Sequence, residues 1–282
     1  MKPAGAAALA LAALALALPA GWAWQRWQAQ QSLQARLARI VPAPAARAGP
    51  CARAGAAPAT VLLVLGQSNA GNHGAEDEVP ADGTGPQLKV FVGGGCARLG
   101  DPLPGGTGRH HSIWTRLPAH LQQRGFGGDL AFAVLAVDAT TIDDWSRRGS
   151  PLRRRLQSLL VDLRAASLRP SLVLWQHGEA DARQGTSTED YIAGFEAVRA
   201  TLQAGGVAAP VLMARSTLCR RGDGRAVRAA VEQLAARHAD VRLGPDTDAL
   251  QGVDRPQGCH FSRTGLDKAA ALWAEAIMQA AP

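Results

Sequence analysis

Short apolar segments alternate with longer segments of helical periodicity from residue 61 to the C-terminus. The short segments predict buried strands at Val61–Leu65, Leu88–Val92, Leu130–Val137, Ser171–Trp175 and Val211–Ala214. The longer segments predict helices at Ile113–Arg124, Pro151–Ala166, Thr188–Ala204, Arg225–His238 and Thr264–Ala280. Strands that alternate with helices pair in parallel through right-handed crossovers. The pattern therefore predicts a three-layer α/β/α domain with a central parallel sheet of about five strands.

Polar segments that contain or adjoin glycine follow several of these strands. In a parallel sheet, functional side chains gather beyond the carboxyl ends of the strands. Gly66–Asn69, Asp138–Trp145 and Gln176–Asp181 each follow a predicted strand, and Cys259–Ser262 precedes the last helix. We expect these four segments to meet at one edge of the sheet.

The N-terminal residues have the pattern of an export segment. Lys2 is followed by Ala4–Ala20, which is uncharged and almost entirely alanine and leucine. Continued through Trp22 and Trp24, the segment reaches roughly 20 residues, which is also enough to span a bilayer. Residues 1–24 are therefore either a signal peptide or an N-terminal membrane anchor, and both predict an exported protein: periplasmic, secreted or anchored to the membrane. Residues 25–57 predict a polar helix and a Pro/Ala-rich linker, and residues 58–282 form the α/β domain.

Charge and cysteine content narrow the range of partners. The net charge of +7 comes mostly from arginine. The arginine clusters lie in different segments and have no interleaved aromatic residues, which argues against nucleic-acid binding. The four cysteines show no Cys-x-x-Cys spacing, and in an exported chain they favour disulfides over metal binding. We expect no metal and no cofactor. The spacing alone leaves three disulfide pairings open.

Ser68 is a candidate nucleophile at the end of the first strand. A serine nucleophile needs a base to remove its proton and donors to receive the oxyanion. Gly66 permits a sharp turn, and the start of a helix supplies backbone N–H groups. His260, between Cys259 and Phe261, is the candidate base. The alternatives are a serine that caps a helix and a loop histidine that packs against the last helix.

Three motifs, in order, carry a family resemblance: "GQSNAGNH", "LVLWQHGEADA" and "GCHFSRTG". Together they resemble the SGNH-type hydrolases, specifically the sialate O-acetylesterase-like branch that includes a carbohydrate esterase family of acetylxylan esterases. The resemblance covers the chain from about Pro58 to its end. It implies a flavodoxin-like sheet (the SGNH hydrolase fold), no metal or cofactor, and hydrolysis of acetyl or other short acyl esters on carbohydrates or other small ester substrates.

The resemblance also assigns roles to residues. Ser68 matches the nucleophile and His260 the base. The oxyanion donors would be the N–H groups of Ser68 and Ala139 and the side chain of His177. The other matching positions support the site: Gly66, Gln67, Asn69, Gly178, Glu179 and Asp181.

This chain departs from the family pattern at three places. Asp138 and Ala139 replace a glycine pair, and Asp138 brings negative charge near the oxyanion site. His177 replaces a glutamine, so it either donates to the oxyanion or only fills the space of that glutamine. Gln257 replaces the acid that orients the histidine, and Asp254 is a candidate for that role. Glu179 and Asp181 are further candidates, with a structural salt bridge and a helix cap as the alternative interpretations. These departures keep open the alternative of a weakened homologue that binds glycan without efficient turnover.

Position relative to the predicted strands favours one disulfide pairing. Cys219 follows the fifth strand and Cys259 adjoins the candidate base, so their bridge would fix the histidine loop. Cys51 precedes the first strand and Cys96 follows the second, so adjacent strands would bring them together.

Overall fold

The structure is a computed structural model that describes residues 31–44, 49–51, 59–75, 88–220 and 222–280. Within these residues, one sheet contains seven strands in the order β3-β2-β4-β1-β5-β6-β7. Neighbouring strands are parallel except β2 and β3, which are antiparallel. The strands are β1 Thr60–Gly66, β2 Leu88–Phe91, β3 Cys96–Arg98, β4 Leu130–Ala136, β5 Leu172–Gln176, β6 Val211–Arg215 and β7 Val241–Asp246.

Helices cover both faces of the sheet, because successive strand residues point to opposite sides and both sides are apolar. The helices are α1 Leu117–Gln123, α2 Ile142–Ser146, α3 Pro151–Ala165, α4 Glu179–Gln184, α5 Thr188–Ala204, α6 Arg225–Arg237 and α7 Arg263–Ala280. Leu63 and Leu65 face one core with α2, α3, α5 and α6, whereas Leu62 and Val64 face the other core with α1 and α7. The predicted three-layer α/β/α architecture is confirmed.

The sheet has more strands than the five that the sequence predicted. Strand β3 has the sequence Cys-Ala-Arg and forms through pairing with β2, with no apolar segment of its own. Strand β7 contains an arginine, a glycine and a proline, and it pairs with β6 at the edge of the sheet. Edge strands need not be apolar on both faces, so their sequences lack the pattern that identified the five others. The short helices α2 and α4 were likewise not predicted.

The described part of the N-terminal region packs against the domain. Residues 31–37 are helical, and Leu33 is completely buried in the core beside α2 and α3. These residues belong to the segment predicted as a polar helix and linker. The predicted signal peptide or anchor, residues 1–24, lies outside the described residues. Within the part of the chain that the structure describes, no helix has the length and apolar character needed to cross a membrane.

Both disulfides of the favoured pairing are present. Cys51 is bonded to Cys96 and Cys219 to Cys259, across sequence separations of 45 and 40 residues. The second bridge joins the segment after β6 to the residue before His260.

Candidate active site

The first strand ends in a backbone turn that requires glycine. Gly66 has a φ of +155°, and a Cβ atom there would lie 2.0 Å from the carbonyl oxygen of Gln176 on the adjacent strand. No side chain fits at that distance. The chain therefore turns tightly against β5 and places Ser68 in a single 3₁₀ turn, Ser68–Ala70.

Asn69 connects this turn to the histidine loop. Its Nδ2 donates one hydrogen bond to Glu179 Oε1 at 2.7 Å and another to the carbonyl oxygen of Cys259 at 3.2 Å. Because Asn69 follows Ser68 and Cys259 precedes His260, the candidate nucleophile and the candidate base lie on adjoining loops. Ser68 and Asn69 are 6% and 4% exposed.

Glu179 is a fully buried acceptor beneath the serine turn. Its Oε1 also accepts a hydrogen bond from Ser216 Oγ at 2.9 Å. Burial raises the pKa of the Glu179 carboxyl, and the hydrogen bond from Asn69 and the positive charge of Arg255 oppose that rise. Glu179 therefore supports the position of Asn69. It makes no hydrogen bond to His260.

A second layer of polar groups holds Ser216. Gln176 Nε2 donates to Ser216 Oγ at 2.6 Å and to Thr247 Oγ1 at 3.1 Å, while Gln176 Oε1 accepts from Trp273 Nε1 at 3.0 Å. A buried network in which the groups are mutually bonded is rigid, because any displaced member would lose its partner in a medium of low dielectric. Strands β5 and β6 and helix α7 thus fix the geometry beneath the serine turn.

His260 is half-buried, and its ring lies against a second imidazole. The centroids of the His260 and His73 rings are 5.3 Å apart. Burial, the largest cause, and the charges of His73, Arg255 and Arg220 together lower the pKa of His260 to about 4, and the negative charge of Asp138 opposes them. A neutral imidazole accepts a proton, so His260 is in the form that a general base needs.

Neither Gln257 nor Asp254 hydrogen-bonds to the His260 ring. The side chain of Gln257 is exposed and makes no hydrogen bond to the described residues. Asp254 Oδ2 instead pairs with Lys268 Nζ at 2.9 Å. No carboxylate hydrogen-bonds to His260 among the residues the structure describes, so none of the candidate acids orients its ring through such a bond.

Arg255 holds the histidine loop and was not identified from the sequence. Arg255 is 1% exposed. Its guanidinium donates hydrogen bonds to backbone carbonyl oxygens: from Nε to Leu250 at 3.1 Å, from Nη2 to Thr247 at 3.0 Å and from Nη1 to Cys259 at 2.5 Å. The guanidinium also lies 4.0 Å from the centroid of the Phe261 ring. In the sequence, nothing distinguishes this arginine from the surface arginines, because its function depends on burial.

The loop after β4 supplies a second backbone donor. Ala139 is exposed and has a φ of +54°, which alanine rarely adopts. The N–H groups of Ser68 and Ala139 donate to no other described residue. The carboxylate of Asp138 lies 3.1 Å from Arg39 Nη2, which offsets its negative charge. These features fit two free N–H donors at the carboxyl edge of the sheet.

His177 does not fit the oxyanion role that the resemblance implied. Its side chain is completely buried, and its Nδ1 shares a hydrogen bond of 3.2 Å with Tyr191 Oη. The ring packs against Trp175 and Trp145, and burial lowers its pKa to about 3. A side chain without exposed surface is not placed to donate a hydrogen bond to a substrate oxyanion.

The remaining motif positions are structural supports. Gln67 Oε1 accepts from Ala180 N at 3.2 Å and joins the serine turn to α4. Asp181 accepts from the backbone N–H of Ile142 at 3.1 Å through both oxygens and caps α2. Gly178, with a φ of +140°, begins α4 where a Cβ would be 2.8 Å from Ser216 O.

Comparison with solved structures supports the same fold. A protein from Arabidopsis thaliana superimposes with a TM-score of 0.66 at 17% identity, over 79% of this chain and 99% of its own. NanS superimposes with a TM-score of 0.55 at 16% identity, over 78% of this chain and 96% of its own. A carbohydrate acetylesterase from Xanthomonas citri gives 0.53 at 16% identity, over 79% of this chain but 56% of its own.

No protein-family model matches the sequence, and no curated protein matches it. At identities of 16–17%, the structural similarity establishes the fold alone. The chain therefore shares the α/β/α fold of these solved structures, which confirms the fold class that the sequence predicted. Its chemistry must be argued from its own site.

Proposed function

We propose that this protein is an exported serine esterase that hydrolyses acetyl or other short acyl esters, with acylated carbohydrates as its substrates. The observation that carries the proposal is the hydrogen bond of 3.2 Å from Asn69 to Cys259 O, which brings the loops of Ser68 and His260 together. The fold shared with a carbohydrate acetylesterase supports the substrate class. The two disulfides are typical of an oxidising compartment and support export.

In the proposed mechanism, Ser68 Oγ attacks the acyl carbonyl while His260 removes its proton. The N–H groups of Ser68 and Ala139 stabilise the oxyanion of the tetrahedral intermediate. His260 then gives the proton to the leaving sugar oxygen, and the C–O ester bond breaks. Water, activated by the same histidine, attacks the acyl-enzyme and releases the carboxylic acid.

The test is hydrolysis of p-nitrophenyl acetate by wild type and Ser68→Ala. We expect the variant to lose at least about 10³-fold in kcat, because the nucleophile acts together with its base. Ser158→Ala, at an exposed position on α3, is the matched control and should keep wild-type activity. Equal rates for wild type and Ser68→Ala would overturn the proposal.

Among the residues that the structure describes, no carboxylate hydrogen-bonds to His260, and this observation favours a second candidate, a protein that binds glycan without turning it over. Such a protein would bind acetylated xylan or sialic acid while wild type and Ser68→Ala gave equal rates. The retained pair and its free N–H donors favour the esterase.

A further inference from the structure

The N-terminal residues 31–44 pack against the protein near the carboxyl ends of the strands, where the candidate site lies. Leu33 is completely buried in the core. Further along, Val41 N donates to Gly106 O at 2.9 Å, and Gly105 N donates to Val41 O at 3.0 Å. Gly106 in turn pairs with Ala136, at the end of β4. The segment is therefore held at both ends beside the loop that follows β4.

Arg36 extends from this segment to the loop. Its Nη1 donates to the carbonyl oxygen of Asp138 at 3.1 Å and to that of Ala139 at 2.6 Å. Its Nη2 lies 3.8 Å from Asp144 Oδ2, and the Arg36 side chain is 16% exposed. One guanidinium thus binds two successive carbonyl groups and the first turn of α2.

The peptide bond between Asp138 and Ala139 makes this contact important for the oxyanion donor. In a planar trans peptide, the carbonyl oxygen and the N–H of the next residue point in opposite directions. Arg36 binds the Asp138 oxygen on one side, so the N–H of Ala139 points away from Arg36. That N–H donates to no described residue and remains available to a substrate oxyanion.

Ala139 also needs an external restraint because of its backbone conformation. A non-glycine residue at a φ of +54° is strained, and it persists only where its surroundings hold it. Asp138 N donates to Thr107 Oγ1 at 2.9 Å, which fixes the loop before the peptide bond. Arg36 restrains the Asp138–Ala139 peptide bond through the carbonyl oxygen of Asp138 and the next peptide bond through the carbonyl oxygen of Ala139.

The geometry points to Arg36 as a positioning residue of the esterase: by binding the carbonyl oxygens of Asp138 and Ala139, it directs the Ala139 N–H toward the oxyanion. The inference rests on the proposed function. It makes residues 31–44 part of the active-site architecture rather than a spacer between an export segment and the domain.

The test compares the full chain with Arg36→Ala, Arg36→Lys and Arg237→Ala. Arg237 is an exposed arginine of α6 whose Nη2 bonds to Gln233 on its own helix, so its variant is the matched control. Loss of one oxyanion donor costs about 10²–10³ in kcat. For Arg36→Ala we expect a fall of about 10- to 100-fold in kcat on p-nitrophenyl acetate, with KM within about threefold, because the donor is misdirected rather than removed. Arg36→Lys should recover part of the loss.

Amide hydrogen exchange of the segment 137–145 gives a readout independent of turnover. We expect faster exchange in Arg36→Ala than in wild type or Arg237→Ala. Wild-type kcat in Arg36→Ala, with Ser68→Ala inactive, would overturn the inference while leaving the esterase proposal intact. Faster exchange with wild-type kcat would also overturn it. If Ser68→Ala were as active as wild type, the proposed function itself would fail, and the positioning role with it.

Discussion

Asn69 and Cys259 are 190 residues apart in the chain, and a hydrogen bond of 3.2 Å joins the side chain of the first to the carbonyl of the second. The bond links the turn that carries Ser68 to the loop that carries His260. The same amide nitrogen donates to the buried carboxylate of Glu179, and the same carbonyl accepts from buried Arg255. The relative position of the proposed nucleophile and the proposed base thus depends on groups that have no role in the proposed chemistry.

We predict that Asn69→Ala lowers both stability and turnover. It removes one donor from Glu179 Oε1 and one from the carbonyl oxygen of Cys259, which keep their hydrogen bonds from Ser216 and Arg255. We therefore expect a cost of about 0.5–1.5 kcal/mol for each hydrogen bond lost. Loss of the link between the loops should lower kcat on p-nitrophenyl acetate by at least about tenfold, since misplacement by an ångström is costly. Urea unfolding and steady-state kinetics measure the two effects.

Asn72→Ala provides the matched control for this prediction. Asn72 is completely buried, and its side chain makes two hydrogen bonds to the backbone of Leu103, at 2.7 and 3.0 Å. We expect a similar loss of stability with a smaller loss of turnover. Equal losses of turnover in the two variants would contradict a specific role for Asn69 in aligning the pair.

The second prediction concerns the pH dependence of activity. Burial, with the charges of His73, Arg255 and Arg220, lowers the pKa of His260 to about 4. A base works only when it is unprotonated, so a lowered pKa extends activity toward acid. The acid limb of kcat/KM should therefore have its midpoint near pH 4–5, rather than near the ordinary histidine pKa of about 6.5.

The measurement is initial-rate acetate release from pH 3.5 to 7, with His120→Gln as a control for histidines at the surface. His120 lies on α1 and pairs with Asp267 at 2.9 Å, away from the site. Its variant should reproduce the wild-type profile. An acid limb centred at pH 6 or above would show that His260 is not the base in the environment described here.

The extent to which this fold could be predicted differs between its parts. Strand β1 and helix α5 were identified because their apolar periodicity is imposed by burial on the sheet. Strand β3 has no such pattern and forms through pairing with β2 and the bridge from Cys51 to Cys96. Its existence depends on tertiary contacts that a local pattern does not contain.

The same distinction applies to the site. Ser68 and His260 could be proposed because the carboxyl ends of parallel strands converge, and because their motifs resemble a known family. Arg255 and Arg36 could not, since arginine in a sequence is ordinarily a surface charge. Only the folded chain shows that Arg255 is 1% exposed and that Arg36 reaches backbone carbonyls about 100 residues away.

The third prediction separates the two disulfides. Each closes a loop of 40 to 45 residues, so removing either should destabilise the fold by a similar amount, about 4 kcal/mol from chain entropy. Only the bridge between Cys219 and Cys259 adjoins His260. We expect Cys219→Ser/Cys259→Ser to lose turnover at a temperature where it remains folded. Cys51→Ser/Cys96→Ser is the matched control and should keep more of its kcat. A larger loss of kcat in Cys51→Ser/Cys96→Ser than in Cys219→Ser/Cys259→Ser would show that the histidine loop does not need its disulfide.

The fourth prediction follows from the burial of His177, whose pKa falls to about 3 in the folded protein, against about 6.5 in an unfolded chain. Between those values the unfolded chain binds a proton that the folded protein does not. The free energy of unfolding therefore decreases as the pH falls, by about 1.4 kcal/mol per pH unit for this group. His177→Gln removes that contribution. From pH 6.5, where the unfolded histidine is already half protonated, to pH 5, the wild type should lose about 1.6 kcal/mol more than the variant. Urea unfolding of both proteins at the two pH values measures the difference, and any constant cost of the substitution cancels. Parallel pH dependence in the two proteins would mean that the pKa of His177 is not lowered in the folded protein.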